Sequence, residues 1–284
     1  MNASATNAAA EASERDGVRY ERRDGVAQVT LDRPPVNALG RGMVEALWQV
    51  LERVQADPRV VVLHLRGEGR CFSAGADLDE MRAAIGGRGG ADAQVAFVRR
   101  LQALFDRLEA LPTVTLAEIG GHALGGGLEL ALACDLRLGA REVRVGLPEL
   151  SLGLVPGGGG TQRLVRVCGG ALARRLILGA ETIDGATAAD MGLLHWVLPA
   201  PELAARAAEI ADRLARLPRA AVAAAKACIG LADRGDGAGF EAELGATRQL
   251  LAEPETRRRL TAFLDMDRVQ ARPDPSPKAE VGRP

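Results

Sequence analysis

Glu129 interrupts an otherwise apolar run (Leu128, Leu130, Ala131, Leu132), three positions after the middle one of three consecutive glycines. The segment reads Gly120-Gly121-His122-Ala123-Leu124-Gly125-Gly126-Gly127-Leu128-Glu129. It follows a strand-like stretch and opens a helix-like one, so the glycines leave helix N-terminal amides open to a ligand. Residues three apart share a helix face, which points a Gly126 N–H and the Glu129 carboxylate into one pocket. A second segment, Cys71-Phe72-Ser73-Ala74-Gly75-Ala76-Asp77-Leu78, is built of small residues that let the main chain approach a ligand. Asp77 with Glu80 fits a helix cap, which leaves the Ala76 amide near a helix start. Glu149 stands in Gly146-Leu147-Pro148-Glu149-Leu150, a carboxylate flanked by apolar residues. Singly, each has a plainer reading: a tight strand–turn–helix, a loop-to-helix junction and a solvated acid. Only Glu129 resists it.

Other chemistries fit poorly. The run Gly157–Gly160 leads into Thr161-Gln162-Arg163, and Gln162 stands where a phosphate loop needs lysine. No GxGxxG occurs in a strand–helix setting, so no nicotinamide nucleotide is expected. Cys71, Cys134, Cys168 and Cys228 are widely spaced, which argues for reduced thiols rather than disulfides or zinc; no metal site is expected. His64 lies in an apolar strand-like run, His122 in the glycine turn and His195 beside Trp196. No GxSxG serine accompanies them, which leaves a Ser–His–Asp hydrolase without its nucleophile.

The elements that must hold these residues read as α/β. Strands are expected at Val26–Leu31, Val60–Leu65, Thr113–Ile119, Asp135–Leu138 and Val143–Val145. Helices are expected from Gly40 to about Ala56, from about Asp77, over Val95–Leu111 and over Gly125–Ala133. The stretch Gly67–Gly75 reads as a loop and Gly86–Gly90 as a flexible break. Such alternation predicts parallel strands with right-handed crossovers. From about Pro201 the segments 201–216, 218–233, 238–252 and 255–270 are helical without strands, a C-terminal helical layer suited to packing on another subunit. Residues 1–16 are expected to form a disordered tail and residues 271–284 a loose end.

Composition sets bounds. The 284 residues include 47% apolar and 26% charged, with a net charge of -1. That suffices for a large core and gives no basic footprint for nucleic acid or an anionic membrane. No run of 18 apolar residues occurs, so no membrane span is expected. The N-terminus resembles neither a secretory nor an organellar leader. A reducing, cytoplasmic compartment is the expectation.

In order and spacing, CFSAGADL, GHALGGGLEL, the CDLRL after it, GLPEL and LGLVPGGGGTQRL closely resemble the crotonase (enoyl-CoA hydratase/isomerase) superfamily. The resemblance runs from about Val18 to Phe263. It implies an α/β fold, a spiral of ββα units over 17–200 with a helical region over 201–270, assembled as a homotrimer or a dimer of trimers. It implies an acyl-CoA thioester substrate, with coenzyme A part of that substrate and no separate cofactor. By motif position the Ala76 and Gly126 amides match the family's oxyanion hole, and Glu129 and Glu149 its paired acids. Glu149 is matched to proton delivery at the α-carbon and Glu129 to orienting and activating water. Ala74, Asp77, Leu78, Gly125, Pro148 and Gly157 fall in the substrate-binding segments.

Retention of both glutamates points to a hydratase, since isomerases of the superfamily generally manage with one, matching Glu149. A methylglutaconyl-CoA-type branched hydratase, an enoyl-CoA isomerase, and a non-catalytic acyl-CoA- or RNA-binding scaffold are the rivals. The chain departs from the family at Asp79 and at Pro35-Val36, where hydratases often carry the basic residues that help hold the CoA nucleotide. Arg33, Arg82 and Lys226 are the candidate substitutes.

Overall fold

The computed structural model describes residues 11–85, 90–232 and 238–270. These fall into two compact units, divided between Lys226 and Ala227.

The first unit contains two sheets. One has seven strands, β1 (Glu11–Arg15), β2 (Val18–Arg23), β3 (Val26–Leu31), β4 (Val62–Gly67), β6 (Val114–Ile119), β8 (Leu136–Ala140) and β11 (Trp196–Leu198), adjacent in that order. The other has four, β5 (Cys71–Ser73), β7 (His122–Leu124), β9 (Arg144–Gly146) and β10 (Thr182–Asp184), in the order β10-β9-β7-β5. The first two pairings of the large sheet are antiparallel. From β3 to β4, β6, β8 and β11 every pairing is parallel, as are β5 to β7 and β7 to β9.

The chain lays one strand in the large sheet, the next in the small one, then a helix. Thus β4 and β5 precede α2 (Leu78–Ile85) and α3 (Gly90–Glu109). Next, β6 and β7 precede α4 (Gly126–Leu132), and β8 and β9 precede a 3₁₀ turn (Pro148–Leu152) and α5 (Gly160–Leu178). This is the ββα spiral that the resemblance implied. Both helix layers follow from apolar spacing. Helix α1 (Arg41–Ala56) buries Met43, Val44, Leu47, Val50, Leu51 and Val54, each worth about 1.5–3 kcal/mol when withdrawn from water. Val29, Leu63 and Leu65 of the sheet meet Leu47, Val50 and Leu51 of α1, Leu104 and Leu108 of α3 and Leu130 of α4 in one apolar seam. On the other side, α7 (Ala200–Ala215) buries Leu203, Ala207, Ile210, Ala211 and Leu214 and packs on β3, β4, β6 and β8.

Several expected boundaries move. Residues 11–15, expected in the tail, form β1 and pair along β2; residues 1–10 lie outside the described residues. The stretch 67–75, expected as a loop, contains β5. Helix α7 and most of α8 (Arg219–Ile229) belong with the spiral, so the first unit ends at Lys226 rather than at 200. The apolar stripe of α7, which covers the sheet, is the physical reason. Helix α6 (Gly185–Asp190) is capped by Asp184, which accepts from the Thr187 N–H. The second unit holds α9 (Ala238–Ala252) and α10 (Pro254–Gln270), close to the expected bounds. Residues 86–89, most of the expected break, and 271–284, the expected loose end, lie outside the described residues.

Candidate active site

The spiral brings the chemistry together because three successive strands of the small sheet end side by side. Strand β5 runs out into Ala74-Gly75-Ala76, β7 into Gly125-Gly126, and β9 into the turn that carries Glu149. Gly75 has φ +92, and a Cβ there would lie 2.9 Å from both the Gly126 nitrogen and the Leu124 carbonyl oxygen. A Cβ on Gly126 would lie 3.6 Å from the Ala76 nitrogen. Only glycine tolerates that approach, and it sets the Ala76 and Gly126 amides next to each other. Among the described residues no acceptor takes either N–H. Two open amides at the mouth of a helix form a ready-made anion site.

The Ala76 loop is held from behind by Asn37, a buried residue in the left-handed region at φ 51. Its Nδ2 donates to the Glu68 and Cys71 carbonyls at 2.9 and 2.8 Å. Its own carbonyl accepts from Ser73 Oγ at 2.7 Å, and the same Oγ accepts from the Gly75 N–H at 3.2 Å. The Leu39 N–H donates to Gly75 O and the Ala74 N–H to Val36 O. Asp77 caps α2 as expected, with Oδ1 accepting from the Asp79 and Glu80 N–H groups at 3.0 and 3.1 Å. Those amides, together with Arg33 at 2.6 Å from Oδ2, hold its carboxyl below the usual range. Glu80 does not close a box with Asp77; it accepts the Arg41 N–H at the start of α1.

Glu129 is buried in α4. Its Oε1 accepts from the Gly160 N–H at 2.7 Å, and the Gly158 N–H faces the same carboxylate without reaching hydrogen-bond geometry. Burial raises its pKa; those two amides and the charge of Arg163 oppose the rise. Glu149 enters from the 3₁₀ turn, its Oε1 3.0 Å from where a Cβ on Gly125 would stand. Burial pushes its carboxyl up to about 7; its own N–H opposes this, and the negative charge of Glu129 adds to it. Among the described residues its buried Oε2 has no hydrogen-bond partner. One acid is thus held by a donor and its neighbour is held close to neutrality, the arrangement that divides base from acid work.

The remaining expected residues fall as follows. Ala74, Gly125 and Pro148 lie in the three converging segments. Gly157 opens the loop below Glu129, where its carbonyl accepts from Gln102 at 2.7 Å and its Cα faces Val98. Leu78 points outward, 60% exposed. The Asp77 carboxylate is consumed by the cap and by Arg33, so only its backbone is left to line the site. Arg33 is taken by Asp77 and the Ala38 carbonyl, and Lys226 by Asp135 and the Thr113 carbonyl at 2.7 and 2.8 Å. Arg82 is exposed on α2.

The three histidines serve the scaffold. His64 Nε2 is 2.8 Å from buried Glu118, and His122 and His195 accept the Arg144 and Arg137 N–H groups through Nδ1. What sequence reasoning missed is the Gly158–Gly160 loop. Its glycines registered as a failed phosphate motif and within the LGLVPGGGGTQRL segment, with a binding role given only to Gly157, although a glycine run entering a helix is itself a signal for amides that face an anion.

Comparison with known proteins identifies the family. The defining pattern of the enoyl-CoA hydratase/isomerase family matches residues 21–270, and the chain belongs to that family. It is 44% identical over 169 residues to a probable enoyl-CoA hydratase of Bacillus subtilis (strain 168), spanning 60% of this chain and 64% of that protein. It is 38% identical over 251 residues to the enoyl-CoA isomerase/hydratase fer4 of Mycosarcoma maydis, spanning 84% of this chain and 89% of that one. The crystal structure of an enoyl-CoA hydratase from Bacillus anthracis superposes with a TM-score of 0.83 at 32% identity, covering 88% of this chain and 97% of that one.

Proposed function

We propose that this enzyme adds water across the 2,3 double bond of an enoyl-CoA thioester, giving a 3-hydroxyacyl-CoA. The observation that carries the reading is the pair of unlike acids beside two open amides: Glu129 bonded by the Gly160 N–H, Glu149 held up to about 7.

The thioester carbonyl oxygen would sit between the Ala76 and Gly126 N–H groups. Ionised Glu129 takes a proton from water as the water oxygen bonds to the β-carbon. The π electrons move toward the thioester, leaving an enolate whose oxygen the two amides stabilise; one well-placed donor is worth about 3–4 kcal/mol. Protonated Glu149 delivers its proton to the α-carbon, and the enolate collapses to the saturated thioester. Glu129 is left protonated and Glu149 ionised, so one proton passes between them or through solvent before the next turnover.

An isomerase reading needs only Glu149. The burial of Glu129 beneath the glycine loop favours hydration, because a carboxylate desolvated at that cost needs a task. The four free cysteines suit a reducing, cytoplasmic setting, and exposed Phe240, Leu244 and Phe263 suit a homotrimer or dimer of trimers. Among the described residues no helix is long and apolar enough to cross a membrane. A role in fatty acid metabolism goes with the reading, and branched methylglutaconyl-type thioesters are its nearest variant.

The test is incubation with short, long and branched enoyl-CoAs, following loss of the conjugated thioester absorbance and gain of one water by mass. Hydration of at least one substrate is expected. Double-bond migration without hydration would make the chain an isomerase, and no turnover of any would sink the enzyme reading.

A further inference from the structure

Arg163 lies in the first turn of α5, on the side of the glycine loop away from the glutamate pair. Its side chain is 4% exposed. A cation in a helix's first turn works against the helix dipole, and burying a guanidinium costs more unless every nitrogen is matched. Here each is. Nη1 donates to the Gly158 carbonyl at 2.9 Å, Nε to Glu109 Oε2 at 2.9 Å and Nη2 to Asp106 Oδ1 at 2.5 Å. Its own N–H donates to the Gly159 carbonyl. Gly159 has φ +102, and a Cβ there would collide with Nη1 at 2.3 Å, so the guanidinium curls back flat over the loop.

The loop so gripped is the one whose Gly160 amide holds Glu129. Gly158 is fixed through its carbonyl by Arg163 and faces Glu129 on its other side, where a Cβ would stand 2.7 Å from Oε2. Gly160 donates to Oε1 at 2.7 Å. A loop of four glycines has little rigidity of its own, because glycine loses the most backbone freedom on ordering. The rigidity must come from outside, and α3 supplies it through Asp106 and Glu109.

We propose that Arg163 is a positioning residue for the hydration reaction: it pins the Gly158–Gly160 loop to α3 so that the Gly160 amide stays bonded to Glu129 and Gly158 stays against it, which holds Glu129 in place as the water-activating base. The inference rests on the hydratase reading for its kinetic consequence, not for its geometric one. The charged groups around Glu129 are Arg163 on α5 and Glu149 on the 3₁₀ turn, with Asp106 and Glu109 of α3 and Arg166 of α5 beyond the guanidinium. Removing the arginine takes away the positive charge that opposes the desolvation of Glu129.

The test compares wild type, Arg163→Met and Arg163→Lys in the full chain. In Arg163→Met, kcat for crotonyl-CoA should fall about 10- to 100-fold, the scale expected when a reacting group is displaced by about 1 Å. KM should hold within about twofold, because no substrate contact is lost. The acidic limb of the kcat profile should move to higher pH. Arg163→Lys keeps the charge, but its single nitrogen cannot reach the three partners that the planar guanidinium spans, so it should keep the wild-type limb and still lose kcat; it also serves if Arg163→Met fails to fold. A 13C NMR titration of the Glu129 carboxyl, assigned by its absence in Glu129→Gln, reads the same effect without substrate. The Glu129 midpoint should rise by roughly one pH unit or more in Arg163→Met. An unmoved midpoint with wild-type kcat in either folded variant overturns the proposal. If wild type hydrates nothing, the hydratase reading fails, while the carboxyl titration still decides what Arg163 does.

Discussion

Gly75 and Gly126 approach so closely that a single methyl group on Gly75 would come within 2.9 Å of the Gly126 nitrogen. That contact joins the ends of β5 and β7 and makes two separate amides into a pair. Gly75→Ala would place a side chain at φ +92, which costs about 1–3 kcal/mol, and would also push the two loops apart. A fall in kcat of about 10²–10³-fold is expected, the scale of losing one oxyanion donor, with a lower Tm. Steady-state kinetics with crotonyl-CoA and a thermal melt check both. Near-normal kcat in a destabilised variant would mean that the amides do not work as a pair.

Glu149 makes the activity and the stability of the protein depend on pH in linked ways. With its pKa raised to about 7, the native state holds a proton there that the unfolded chain releases near the ordinary carboxylate value. Its stabilising contribution is complete below the unfolded pKa and is lost as pH rises through about 7. Glu149→Gln, which stays neutral throughout, should therefore raise Tm relative to wild type more at pH 8 than at pH 5. The same substitution should lower kcat by about 10²–10⁴-fold, because an amide cannot deliver the α-carbon proton. Melts at the two pH values and one rate measurement suffice. An equal Tm difference at both would place the Glu149 pKa at its ordinary value.

Much of this was legible beforehand. Val26–Leu31, α1 and α3 carry strong apolar periodicity, and their positions follow from it to within a few residues. The small sheet was harder. Cys71–Ser73 and His122–Leu124 are three residues each, too short for alternation to register, and they take their strand character from each other through parallel pairing. Periodicity therefore predicts alternating strands and helices but cannot tell a two-sheet spiral from one doubly wound sheet; the resemblance supplied that distinction. At the site, Ala76, Gly126, Glu129 and Glu149 could be singled out because they stand in unusual sequence surroundings. The Gly158 and Gly160 amides could not be assigned to Glu129, since that contact joins residues about thirty apart through tertiary packing. Nor does Arg163 look different in sequence from any surface arginine.

Ser73 links the scaffold to the Ala76 loop by giving its proton to the Asn37 carbonyl and taking one from the Gly75 N–H. Ser73→Ala strands both groups in a buried site, which costs about 1–3 kcal/mol. A drop in chemical-denaturation stability of that size is expected, together with reduced kcat and little change in KM, because the loop would be loosened rather than emptied. Denaturant titration and steady-state kinetics measure it. A stability loss with no change in kcat would confine Ser73 to folding.

Lys226 separates an internal tie from a nucleotide contact. Its Nζ lies 2.7 Å from Asp135 and 2.8 Å from the Thr113 carbonyl. Asp135 also accepts the Thr115 N–H at 2.7 Å and the Thr115 hydroxyl at 2.9 Å. To reach a CoA phosphate the ammonium would have to leave two partners and abandon a carboxylate that is only partly solvated. Charged hydrogen bonds of this kind contribute about 1.5–3 kcal/mol each. Lys226→Met should therefore lower stability by about that much for the pair while leaving KM for crotonyl-CoA and the affinity for free coenzyme A unchanged. Calorimetric binding of coenzyme A and a denaturant titration distinguish the two roles. Weakened coenzyme A binding at unchanged stability would return Lys226 to the nucleotide site and make its contacts with Asp135 and Thr113 incidental.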